Sequence, residues 1–245
     1  MKARIATTAF ALTGGLFLTQ AAQAGVIVTI EAPGVTSSQT PLSVGGVETF
    51  NGLVGVATTF STDFGTGGAI TGTYTGFDNF QGSTYTFVTP GDQYGGAGGS
   101  DYADTYGSYS LDLSSTLNPG GVTYFGLYLS AIDFGNEIQL YDGATLAQTL
   151  TASNLYAHLT DPAYLGDQFG EPFVFINFYA TGATAFDKVV ISEFCCGGLE
   201  SDNHTVGFYT AITGAEVPEP AAWALMIAGF GLTGAALRRR RAQIA

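Results

Sequence analysis

The sequence predicts an all-β fold, an antiparallel and jelly-roll-like β-sandwich, flanked by an N-terminal signal peptide and one C-terminal transmembrane helix. Three observations predict it. Short runs rich in β-branched and aromatic residues are separated by Gly, Pro, Asn and Asp, the punctuation of sandwiches and barrels. Between the termini no helical periodicity exceeds about two turns. The body left when the terminal segments are set aside, residues 25–217, is long enough for one domain with a proper core.

At the N-terminus, Met1 to Arg4 is short and positive, Ile5 to Thr19 is apolar, and Ala22-Gln23-Ala24 is a small-residue cleavage site. These are the parts of a secretory signal peptide in order, residues 1–24, and cleavage after Ala24 leaves Gly25 first. The candidate strands then follow as GVIVTIE from Gly25, GVATTFSTDF from Gly55, AITGTYTGF from Ala69, STYTFVT from Ser83, YSLDLS from Tyr109 and VTYFGLYLSAI from Val122. The run DQYGGAGGSDYAD from Asp92 is the most glycine-dense and reads as a loop, because glycine costs a strand packing and entropy. It does not fit the calcium-binding nonapeptide of parallel β-helices: two residues separate Gly98 from Asp101 where the pattern has one, and the unit is not repeated.

In EIQLYDGATLAQTL, Asp142-Gly143 lies between two alternating runs and supplies the positive φ angles of a two-residue hairpin. Ile138 and Leu140 then share one face of the first strand, Leu146 and Leu150 one face of the second. SNLYAHLTD from Ser153 can form one short helix, and FVFINFYA, DKVVISEF and TVGFYTAI complete the strands.

Beyond the body, residues 218–245 change character. Ala221 to Leu237 carries no charge and, as a helix at ~1.5 Å per residue, spans about 25 Å, within the range that inserts into a bilayer. Arg238, Arg239, Arg240 and Arg241 follow as a membrane stop that stays cytoplasmic, and Trp223 suits the opposite headgroup layer. Pro218 and Pro220 hold the Pro218-Glu219-Pro220 stretch extended just outside. Hydropathy alone leaves two readings, a permanent anchor or a removable one.

The charge is unevenly spread. Residues 25–217 hold 19 of the 20 acidic residues and one basic residue, Lys188, a formal charge near −18 that the chain total of −13 conceals. Such a body cannot neutralise phosphates, which excludes nucleic acid as a partner, and anionic lipid repels it, so only the tail holds it to a membrane. Cations or hydroxyl-rich polymers are the partners its carboxylates suit.

Candidate chemistry is sparse. Calcium takes six to eight oxygens. Glu200, Asp202 and Asn203 form the densest oxygen cluster, with Asp92, Asp101 and Asp104 next; the alternative is that they are solvated turn residues. A structural calcium is the one cofactor suggested. His158 and His204 have no second His or Cys at ligand spacing, and read as surface or hydrogen-bonded structural histidines. Cys195 and Cys196, the only thiols, leave three readings: a disulfide between neighbours, intermolecular bridges, or reduced thiols. No nucleophile elbow, phosphate loop or paired-histidine motif occurs, so the body reads as non-enzymatic. A glycan-active enzyme would show carboxylates converging in a deep cleft with a raised pKa, a binding module a shallow face with exposed aromatics.

Val217, Pro218, Glu219, Pro220, Trp223, Ala224, Met226, Gly229, Phe230, Gly231, Leu232 and the four arginines together resemble the PEP-CTERM sorting signal recognised by exosortases, in its tryptophan-containing form. The resemblance implies export through the signal peptidase and general export machinery, a transient stay in the inner membrane, and cutting near Pro218 to Pro220 by a membrane-embedded cysteine transpeptidase. It further implies delivery to the cell surface or extracellular matrix, and an association with exopolysaccharide and biofilm. Blocks such as VTYFGLYLSAIDFGNEIQLYDG, FDKVVISE and GLESDNHTVG look like the secreted domains of one group of such proteins. By analogy with sugar-binding jelly rolls, Glu48 in GVETFNGL would pair with Asp202 in ESDNHTV around a structural calcium.

Overall fold

The candidate strands fall into two antiparallel sheets, with almost no helix. The computed structural model describes residues 25–55, 59–77, 85–166, 168–195 and 197–216. In chain order β1 is Gly25–Ile30, β2 Leu42–Glu48, β3 Phe60–Thr62, β4 Ile70–Thr75, β5 Thr86–Thr89, β6 Tyr102–Thr105 and β7 Ser108–Ser115. Then come β8 Tyr124–Ser130, β9 Asn136–Asp142, β10 Thr145–Thr151, β11 Val174–Thr181, β12 Lys188–Glu193, β13 Leu199–Tyr209 and β14 Ala215–Glu216. The short helix α1, Ala152–Tyr156, follows β10, and one turn of 3-10 helix lies at Pro162–Tyr164.

The larger sheet runs β14-β1-β11-β8-β13-β6-β5, with β2 beside the second half of β13; the smaller runs β10-β9-β12-β7-β4-β3. From β7 onward the chain alternates between sheets: β8, β11 and β13 join the larger, while β7, the β9–β10 hairpin and β12 join the smaller. Their facing sides meet in one core, and polar side chains cross it. The hydroxyl of Tyr74 on β4 lies 2.9 Å from His204 Nδ1 on β13, and that of Tyr109 on β7 lies 2.6 Å from Ser201 Oγ.

β8 and β11 are buried on both faces, which is why VTYFGLYLS and FVFINFYA read as continuous apolar runs rather than alternating ones. Residues near 31–40 bond across the outer face. Asn177 Nδ2 donates to Glu31 Oε1 at 3.0 Å, the Tyr124 hydroxyl donates to Asn177 Oδ1 at 2.6 Å, and Thr40 Oγ1 lies 2.7 Å from the Tyr179 hydroxyl.

Two local expectations need correction. Asp142 pairs with Thr145, so the central hairpin residues are Gly143 and Ala144. Gly143, with φ of 58°, is the one of the two in the left-handed region, at the first central position. Leu146 does not share a face with Leu150. A register shift between Leu146 and Gln148 adds one residue to β10, which switches the parity, and Leu146 is exposed while Leu150, Ile138 and Leu140 are buried.

A second irregularity shapes β13. Its first half pairs with β6 and its second with β2, and the register against β8 shifts between Asp202 and Thr205, where Asn203 takes φ of 51°. Ser201 and His204, three apart, therefore both point into the core, with Ser201 Oγ 3.1 Å from His204 Nε2. His204 is fully buried among Phe50, Tyr74, Tyr109 and Phe125, and burial pushes its pKa down to about 3. It is a hydrogen-bonded structural histidine, and His158 is half-buried just after α1.

No helix among the described residues is long and apolar enough to cross a membrane. The cleavage site at Ala24, the 221–237 span, Pro218-Glu219-Pro220, Arg238 to Arg241 and Cys196 lie outside the described residues.

Candidate functional site

Where β6 and the first half of β13 lie side by side, their outer faces carry acids instead of apolar residues. Asp104 stands directly opposite Glu200 in the ladder, and both are at least nine-tenths buried. The two carboxyls converge above the backbone of Gly198: a Cβ there would lie 2.6 Å from Asp104 Oδ1 and 2.9 Å from Glu200 Oε1, so only glycine leaves them room. Asp104 Oδ1 and Glu200 Oε2 are buried and have no hydrogen-bond partner among the described residues. They form the floor of a cleft of about 440 Å³ whose walls add Asp92, Asp133 and Glu171.

The roof on one side is the glycine-rich loop. Asp202, two residues beyond Glu200, accepts hydrogen bonds on Oδ2 from the Ala97 amide at 2.8 Å and the Ser100 hydroxyl at 2.7 Å, and on Oδ1 from the Asn203 amide at 2.6 Å. Asp92 accepts from the Tyr94 amide at 2.8 Å and the Tyr102 hydroxyl at 3.0 Å. At the loop's neck a Cβ on Gly91 would come within 2.4 Å of the Gly99 backbone, an approach that explains the glycine.

The other side is built by the segments after β8 and before β13. Asp133 Oδ1 accepts from the Gly135 amide at 2.9 Å and from Asn136 Nδ2 at 3.0 Å; the same nitrogen donates to Glu193 and to the Gly198 carbonyl. Asn136 thus ties β9 to the end of β12 and to the turn under the acid pair.

Aromatic rings complete the cleft. Phe87 and Tyr106 line it, near-parallel at 6.5 Å with an interplanar angle of 10°, and Tyr85 packs against both. Tyr94 and Phe169 stand at the lip, and Phe169 is 92 % exposed with a left-handed φ of 45°. A bulky residue in that region is strained, a conformation that Phe50 and Phe64 also take in the core.

No basic side chain among the described residues lines the cleft; Lys188 is on β12, 3.7 Å from Asp112. Burial, then the charge of Asp92, pushes Asp104 up to about 7. Burial, then the charge of Asp104, pushes Glu200 up to about 9. Glu171 is raised by burial and by Asp133, while burial raises Asp133 against the opposing bond from Gly135.

The seven calcium candidates are therefore divided. Glu200, Asp104 and Asp92 enter the cleft, and Asp202 holds the loop beside it. Asp101 Oδ2 accepts the Gly52 amide, Asn203 Nδ2 donates to the Thr36 carbonyl, and Glu48, opposite His204 rather than Asp202, accepts the Phe50 amide. Among the described residues no group of three or more His, Cys, Asp or Glu side chains is placed to hold a metal ion. Cys195 is disulfide-bonded. Sequence reasoning missed Asp133, Glu171 and the aromatic walls. YADT, where Tyr102 and Asp104 alternate onto one face, held the one local signal.

A family model for the PEP-CTERM protein-sorting motif matches residues 216–241. The chain carries a PEP-CTERM sorting motif. The motif marks an exosortase-sorted protein exported to the cell surface, and Pro218, Glu219, Pro220 and the four arginines all fall within it. No curated protein and no solved structure matches the chain.

Proposed function

We propose that the body is a non-catalytic β-sandwich of jelly-roll-like kind that associates with extracellular polysaccharide through the acidic cleft. After a transient stay in the inner membrane, held by the apolar 221–237 segment, the chain is cut by the exosortase at Pro218-Glu219-Pro220, which leaves the body at the surface or in the biofilm matrix. The alternation of β7 to β13 between the sheets supports the jelly-roll reading. The observation that carries the ligand class is the shelf of Phe87 and Tyr106 beside hydrogen-bonding carboxyls, because sugar rings stack on aromatic faces while their hydroxyls donate to acceptors. A glycan array with and without calcium tests it. Binding to hexose polymers, weakened by Tyr106→Ala, is the expected result; the absence of any sugar binding in either buffer removes the reading. A shift in melting temperature with calcium would add the structural ion.

A second reading, a glycan-active hydrolase, is favoured by the two raised carboxyls on the cleft floor. Against it, Asp104 and Glu200 are neighbours on adjacent strands of the one floor, whereas glycoside hydrolysis uses two carboxyls flanking the scissile bond. Release of reducing ends from any bound polymer, abolished by Glu200→Gln, would favour the hydrolase.

A further inference from the structure

Buried polar groups as a rule find partners, yet among the described residues three buried side-chain acceptors have no donor: Asp104 Oδ1 and Glu200 Oε2, side by side in the cleft, and Asp187 Oδ1 outside it. The chemistry of the cleft pair narrows what completes it. A neutral hydroxyl supplies a donor but no positive charge to set against the crowded acids Asp92, Asp104 and Glu200. A divalent cation supplies that charge but calls for six to eight oxygens, and no three acids among the described residues are placed around one point. A primary ammonium needs less. It brings three N–H donors, no acceptor and one positive charge, and it is attracted to aromatic faces such as those of Phe87 and Tyr106. The body has no cation of its own to place there, since Lys188, its single basic residue, is on the other sheet beside Asp112.

We propose that the cleft recognises an amino sugar: the ammonium of a non-acetylated hexosamine sits between Asp104 and Glu200 over Gly198, with a sugar ring of the same polymer stacked on Phe87 and Tyr106. This rests on the polysaccharide reading above and names the polymer class, one carrying free amines. An N-acetyl group would replace the charged donor with a neutral, bulkier amide, so acetylation is the feature the site discriminates against.

Titration calorimetry on the full-length chain in detergent tests it, with four probes: a glucosamine hexamer, an N-acetylglucosamine hexamer, a glucose hexamer and a lysine hexapeptide. The expected result is that the glucosamine hexamer binds at least about tenfold more tightly than the other three, the scale of a charge-assisted hydrogen bond. Glu200→Gln is expected to remove that preference, and Asp112→Asn, on β7 away from the cleft, to retain it. The comparison among probes on the unmodified chain stands whether or not the variant folds. Equal affinity for the three hexamers overturns the amine and leaves polysaccharide association standing. Binding of no saccharide overturns both. A lysine peptide that binds as tightly as the glucosamine hexamer overturns the sugar in favour of a protein ligand. Calcium that displaces the hexamer from the unmodified chain but does not bind Glu200→Gln assigns the floor to a metal instead.

Discussion

His204 bridges the two sheets directly through Tyr74 and, by way of Ser201 on its own strand, through Tyr109, in a core that water does not reach. Replacing it with leucine keeps the bulk but strands the Tyr74 hydroxyl, so His204→Leu is expected to destabilise the fold by about 2–3 kcal/mol, measured by chemical denaturation. The acids and this histidine also set opposite limits on pH. Asp104 and Glu200, with ordinary values of 3.8 and 4.5, hold protons in the folded state up to about 7 and about 9. Their stabilisation is complete below the ordinary values and is withdrawn as pH rises through the folded ones. His204 acts the other way: it is kept neutral in the fold, so the stability present above 6.5 is withdrawn as pH falls toward about 3. The melting temperature is expected to peak at about pH 4, where the opposing slopes cancel, and to fall from there to about pH 9, and Asp104→Asn with Glu200→Gln should flatten that fall. A melting temperature that climbs steadily from pH 5 to pH 9 would contradict the assignment of the pair as buried and uncompensated.

Among the elements, the glycine-rich loop owes its position to one side chain. Asp202 accepts from Ala97, Ser100 and Asn203, and its removal leaves three donors to be satisfied by water. Asp202→Ala is expected to cost about 1–3 kcal/mol and to speed hydrogen exchange at the Ala97 amide, with exchange on β9 and β12 little changed. The same region explains what the sequence disclosed and what it hid. Strands whose outer positions are β-branched or aromatic, such as β1, β4, β8, β11 and β12, were legible from composition alone. β6, as YADT, and the start of β13, as LESDN, carry Asp and Asn, which ordinarily signal turns, and Glu, which strands disfavour. These are the two strands that bear the acid pair, so the departure from strand composition marks the site. Leu146 was misplaced for a different reason, because a bulge leaves no imprint on an alternating pattern.

For the whole molecule, the sorting motif and the charge imbalance were plain in the sequence, whereas the cleft was not. Its acids come from segments as distant as Asp92, Asp133 and Glu200, and only folding brings them together. The two features make separate predictions. Replacing Pro218, Glu219 and Pro220 with alanines is expected to leave the arginine tail attached, so that a tag placed after Ala245 stays joined to the body in the membrane fraction; loss of that tag from the altered chain would sink the assignment of the cutting site.

The strand β14 ends at Glu216, where the sorting motif begins, and pairs with β1 at one margin of the larger sheet. β6 lies five strands further across, which at about 4.8 Å per strand is roughly 24 Å away. Whatever the polypeptide is fastened to through that final strand, the binding mouth opens on the far margin, so a fixed molecule would hold it toward the surroundings and leave long chains free to thread past.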